Sequence, residues 1–170
     1  MNEERKKKIY LFLLIIGTVT AYDLGINTYE ELIEFSRKLS KESYITCVDM
    51  LFLDCLLLNT DRHFENIEFF VNNDTQQILG IAPIFDNNYS FLPRFVEGYN
   101  KFNRDEYKAR DGRTFDELYN LVKSHKYYTN ELLVLKKLRL SKPDNVDISI
   151  KRISFLNSFL QMQIKYLLSK

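Results

Sequence analysis

A chain of 170 residues with 45% hydrophobic and 28% charged side chains is long enough for one domain with a real core, and its five glycines and three prolines exclude a low-complexity or disordered protein. Twenty-four Lys and Arg nearly balance twenty-three Asp and Glu, a formal charge of +1, so no net field draws the whole molecule to nucleic acid or membrane, and neither is an expected partner. Cys47 and Cys55 lie eight apart in a predicted helix, too far for a bridge within it, and read as buried reduced thiols of a cytoplasmic protein.

In chain order, Arg5 to Lys8 are basic and Ile9 to Ile16 apolar, so residues 1–28 read as an apolar amino-terminal segment that supplies a core strand or helix. With Val19 and Ala21 behind it, the same pattern also fits a cleaved secretory signal, and it is too short for a membrane span of about 20 apolar residues. Residues 29–170 form the expected domain. Gly25 breaks the apolar pattern, and Thr28 with Glu31 makes a capping box, which predicts a helix from Tyr29 to Leu39. The next helix starts near Ser40 or Ser43 and carries Val48, Leu51, Phe52 and Cys55 at helical spacing, with Leu53, Leu56 and Leu57 on its other faces. A helix apolar all round is buried, so Asn59 to Asn66 leave the end of a firmly anchored element.

Ile67 to Val71 reads as a strand, Asn72 to Asp74 as a turn of residues that tolerate left-handed backbone, and Gln77 to Ile81 as the returning strand, ended by Pro83. This hairpin would carry Asp86 back towards Asn66. Arg94 to Arg113 is polar, tyrosine-rich and aperiodic, a loop or irregular lid. Thr114 and Glu117 form a second capping box before Leu118, Leu121 and Val122. A further helix is expected over Asn130 to Leu138, stopping before Pro143. The last begins near Ser149 with Ile153, Leu156, Leu160, Ile164 and Leu167 on one stripe. The expected fold class is mainly α with a small β-hairpin.

The polar residues around that hairpin suit phosphoryl transfer, which asks for positioning and charge neutralisation rather than covalent chemistry. It needs a carboxylate to orient an attacking hydroxyl and accept its proton, and oxygen ligands for magnesium. Asp61 and Asn66 stand five apart, the D-x-x-x-x-N spacing of base and amide ligand in protein kinases, and Asp86 follows the hairpin where a second carboxylate ligand belongs. Taken singly, Asp61 and Asn66 are also common turn formers, His63 suits a hydrogen-bonded histidine that fixes the loop, Arg62 can pair with a carboxylate, and Asn87 with Asn88 can cap a turn.

The string Asn59-Thr60-Asp61-Arg62-His63-Phe64-Glu65-Asn66, followed by Ala82-Pro83-Ile84-Phe85-Asp86-Asn87-Asn88-Tyr89-Ser90, resembles the carboxy-terminal lobe of HipA-type serine/threonine kinases, the toxin kinases of bacterial toxin-antitoxin systems. The D-R-H-x-x-N part is shared with phosphoinositide 3-kinase-like enzymes, whereas A-P-x-aromatic-D-x-x-x-S favours the HipA type over kinases with D-F-G there. The close match spans Asp54 to Ser90. The resemblance implies a protein-kinase-like fold, Mg2+ and ATP as cofactors, and a protein serine or threonine as acceptor. It makes Asp61 the catalytic base, Asn66 a metal ligand and Asp86 the main metal ligand, with His63, Asn66 and Asp86 as the cofactor-binding set.

A working kinase also needs a lobe with a phosphate-covering loop and a strand lysine. Ahead of Asp61 the chain has only Gly17 and Gly25 and no glycine-rich pattern, and Lys6, Lys7 and Lys8 stand at the extreme terminus. The expectation is a carboxy-terminal lobe with the amino-terminal lobe absent. A separate amino-terminal kinase lobe or an antitoxin-like protein is then the expected partner. A catalytically inactive truncated remnant or a protein-interaction module is the alternative.

Overall fold

The computed structural model describes residues 16–84, 90, 104–145 and 147–170. The chain divides into two compact units, residues 1–50 with 62–86, and residues 51–61 with 87–170. In the first unit, Ile16–Thr20 (β1), Glu68–Asn72 (β2) and Ile78–Ile81 (β3) form an antiparallel sheet in the order β1-β2-β3. The expected hairpin is β2 with β3, and the structure adds β1 on its other side, pairing from Ile16 with Asn72 to Thr20 with Glu68. The β-branched Thr18, Val19 and Thr20 suit that strand, but their partner lies some fifty residues ahead, beyond the reach of a local reading.

Between β2 and β3 the register shifts, with Phe70 opposite Gly80 and Val71 opposite Ile78, so Leu79 is the extra residue of a bulge. The turn joining them differs from the expectation. Its left-handed residue is Gln76, at φ 57, not one of Asn72 to Asp74. Asn72 works through its side chain instead, its Oδ1 accepting from the backbone N–H groups of Asp74 at 2.9 Å and Thr75 at 3.0 Å.

Gly25, at φ 72, turns the chain out of β1 towards Thr28. Tyr29–Leu39 (α1) then begins with the expected capping box: Thr28 Oγ1 accepts from Glu31 N at 3.1 Å, and Glu31 Oε2 accepts from Thr28 N at 3.2 Å. It buries Tyr29, Leu32, Ile33 and Ser36, and the Phe35 ring meets Phe69 of β2 edge-on at 5.2 Å. Lys41–Leu57 (α2) gives ten residues to the first unit and seven to the second. Apolar on every side, it buries Cys47, Val48, Met50, Leu51, Phe52, Cys55 and Leu56. Both thiols are free and buried, and burial pushes Cys47 up to about 12 and Cys55 well above the usual thiol value.

The second unit contains Phe115–His125 (α3), Thr129–Leu135 (α4) and Ile150–Leu168 (α5). Thr114 and Glu117 form the second capping box, and Ser149 Oγ accepts from Arg152 N at 3.1 Å to start α5. The α4 helix stops short of the expected Leu138 because its end tightens into bonds from Lys137 N to Val134 O and Leu138 N to Leu135 O. Along the expected α5 stripe, Leu160, Ile164 and Leu167 are buried while Ile153 and Leu156 are half-buried.

Of the segment expected to be irregular, the described part is a 3-10 turn at Arg104–Glu106 and a bridge from Lys108 to Thr114 around Gly112, at φ 89. Buried Arg104 organises this unit: its guanidinium donates to Asp116 Oδ1 at 3.1 Å, to Gln163 Oε1 and to the Cys55 carbonyl at 3.4 Å. Burial alone would raise the Asp116 carboxyl, but bonds from Lys170, Tyr166 and Arg104 outweigh it and hold the group below its ordinary value. Among the described residues no helix is long and apolar enough to cross a membrane.

Candidate active site

The loop from Asn59 to Asn66 begins where α2 is forced to stop. Leu58, fully buried, takes the left-handed conformation at φ 51, and Asn59 N closes back on the Asp54 carbonyl at 3.0 Å, a Schellman closure with leucine in the place glycine usually holds. A side chain in that conformation costs about 1–2 kcal/mol, and such strain collects where a functional loop must be aimed.

Within the second unit, buried Asn59 fixes the start of the loop with both ends of its amide. Its Nδ2 donates to buried Asp54 Oδ1 at 2.9 Å, and its Oδ1 accepts from Asp61 N at 3.3 Å. The Asp61 carboxylate is left 32% exposed, with Arg110 Nη1 at 3.9 Å from its Oδ1. Nothing local announces Arg110, which is 49 residues further along the chain.

Within the first unit, Arg62 is only 1% exposed. Its carbonyl accepts from Tyr29 Oη at 2.9 Å, and its Nη1 donates to the Asn66 carbonyl at 3.4 Å. The Tyr29 ring also packs on Phe64, with centroids 5.5 Å apart. Arg62 thus faces the interior as a loop-positioning residue. His63 is half-buried, with Nδ1 3.5 Å from Glu65 Oε2 and outside hydrogen-bond geometry. Asn66 is buried at the end of a 3-10 turn, Phe64–Asn66, its N–H on the His63 carbonyl at 2.9 Å. Just beyond it, the Ile67 carbonyl accepts from Ala21 N at 2.8 Å.

Asp61 therefore belongs to the second unit, and His63 and Asn66 to the first. Asp86, with Asn87 and Asn88, lies outside the described residues, as does the expected approach of Asp86 to Asn66. Among the described residues no three His, Cys, Asp or Glu side chains gather as a metal cluster. The donor types of the expected metal ligands are those a magnesium ion takes: the Asn66 amide and the Asp86 carboxylate are hard oxygen donors, with no competing thiolate in the loop. The residues outside the sequence expectation are Tyr29, Asp54, Asn59 and Arg110. Only Asp54 and Asn59 carried a signal, as polar residues within and just after the apolar run from Leu51 to Leu58.

The chain folds like a kinase. It is similar to the crystal structure of the proinflammatory kinase CtkA of Helicobacter pylori, with 16% sequence identity and a TM-score of 0.52 over 91% of this chain and 70% of that chain. No protein-family model and no curated protein sequence matches it.

Proposed function

We propose that the chain is a HipA-like serine/threonine kinase lobe that carries the catalytic-loop and metal-binding residues for phosphoryl transfer from ATP, completed by a glycine-rich lobe on a partner chain. One observation carries this reading above the others. On a kinase-like fold, buried Asn59 bonds the backbone N–H of Asp61, whose carboxylate stays 32% exposed. A general base needs that combination, a carboxylate held in place yet able to meet the proton it takes.

In this role Asp61 orients the acceptor serine or threonine hydroxyl and takes its proton as the oxygen attacks the γ-phosphorus, whose bond to the β–γ bridging oxygen breaks to release ADP. Asn66 and Asp86 offer oxygen ligands, and His63 contacts the nucleotide from the same loop. Magnesium, when bound with ATP, supplies the charge neutralisation of the transferring phosphoryl group. Buried reduced Cys47 and Cys55 support a cytoplasmic setting.

Transfer from γ-labelled ATP, measured with the chain co-expressed with the product of the adjacent upstream reading frame, tests the reading. Asp61→Ala and Asp86→Ala should each lower transfer at least about 100-fold. Activity that survives both changes contradicts it.

A further inference from the structure

Charge is distributed unevenly along the chain. Residues 123–170 hold ten Lys and Arg against three Asp and Glu, whereas residues 1–122 hold fourteen against twenty. The overall +1 conceals this segregation, and with it a feature that the balanced total argues against.

Within the basic stretch, residues 132–143 contain Lys136, Lys137, Arg139 and Lys142 and no acid, interleaved with Leu133, Val134 and Leu138. All seven side chains are exposed, Val134 at 70%. Acids flank this segment on both sides, Glu131 before it, paired with Lys126 at 3.3 Å, and Asp144 and Asp147 after it. The segment is strapped to α5: Leu140 N donates to Asn157 Oδ1 at 2.7 Å, Asn157 Nδ2 donates to the Leu140 carbonyl at 2.9 Å, and Gln161 Nε2 donates to the Leu138 carbonyl at 3.3 Å. The helix beneath continues the same chemistry. It has no acidic residue, its exposed side includes Lys151, Met162 and Lys165, and Ile150 at its start is 79% exposed.

We propose that this face of the second unit docks on an anionic lipid surface. Exposed apolar side chains interleaved with cations are what an interfacial segment presents: the aliphatic groups enter the headgroup boundary while lysine stems extend along it and keep their charges in the polar layer. The composition favours lipid over an acidic protein. Protein interfaces concentrate arginine and aromatic anchors and are poor in lysine, whereas the segment has three lysines, one arginine and only aliphatic apolar groups. A cytoplasmic leaflet supplies the complementary charge, and each lysine or arginine near it strengthens binding about fivefold.

Flotation of the full chain with phosphatidylcholine vesicles, with and without phosphatidylserine, tests the proposal, with soluble polyglutamate as a protein-like polyanion. Binding should require phosphatidylserine and weaken with added salt. It should fall at least about 25-fold in the double variant K136E with K137E. V134S with L138S should weaken vesicle binding several-fold and leave polyglutamate binding unchanged. Circular dichroism checks that these exposed substitutions leave the fold intact. No binding to phosphatidylserine vesicles, equal binding to neutral ones, or indifference to the charge reversals overturns the proposal. Polyglutamate binding that matches vesicle binding, with both unaffected by V134S and L138S, overturns it in favour of an acidic protein.

Discussion

The Asp54 to Asn66 stretch and the 132–143 segment invert the usual placement of polar and apolar groups in opposite ways. In the first, Asp54, Asn59, Arg62 and Asn66 are buried; in the second, Leu133, Val134 and Leu138 are exposed. A buried polar group costs free energy unless it is hydrogen-bonded: Asn59 donates to Asp54 within the second unit, and Arg62 donates to the Asn66 carbonyl within the first. An exposed aliphatic group gives up the stabilisation that burial would bring, and three together on a basic segment leave surface suited to another phase. One region turns its polar groups inward, and the other turns apolar groups outward.

That contrast can be broken by substitution. Arg62→Ala should destabilise the fold by about 3 kcal/mol, since it empties a buried site and removes a donor from the Asn66 carbonyl. Asn59→Ala should cost about 2 kcal/mol by taking the Nδ2 donor from buried Asp54. Urea unfolding measures both. Losses below about 0.5 kcal/mol would mean that the polar groups do not fix the loop. At the other region, Val134→Ser should change stability by less than about 0.5 kcal/mol, the range for exposed positions, although it removes an apolar side chain. A loss of several kcal/mol there would mean that Val134 belongs to the core.

Acid sensitivity sharpens the comparison from within the second unit. Asp116 has a folded-state value below its ordinary 3.8, so its contribution to stability is present above that pH and is lost as the pH falls through the lower folded value. Melting temperatures followed downward from pH 5 should drop more for the native chain than for Asp116→Asn. An identical acid dependence would show that the carboxylate's bonds to Arg104, Tyr166 and Lys170 contribute nothing.

Features set by neighbouring residues were the legible ones. The two capping boxes located the starts of α1 and α3, and the all-round apolar pattern identified α2 as buried, because each depends on side chains within a few positions of one another. The partners that fix the loop were not legible. Tyr29 reaches Arg62 across 33 residues, and nothing in a polar string marks Arg62 as the side chain that turns inward. The strand β1 was obscured in the same way, since pairing with β2 is non-local. The turn after β2 was legible in place but not in detail: Asn72 acts through its side chain, and the left-handed residue is Gln76. The total of +1 does not show how charge is distributed, since an acidic first part offsets a basic last part.

Asp61→Asn separates a chemical role of Asp61 from a structural one. Measured in parallel with transfer from γ-labelled ATP by the co-expressed pair, its urea midpoint should match that of the native chain while transfer falls at least about 100-fold. Transfer that persists in Asp61→Asn, or that falls only in step with a lowered midpoint, would contradict the assignment of Asp61 as the base.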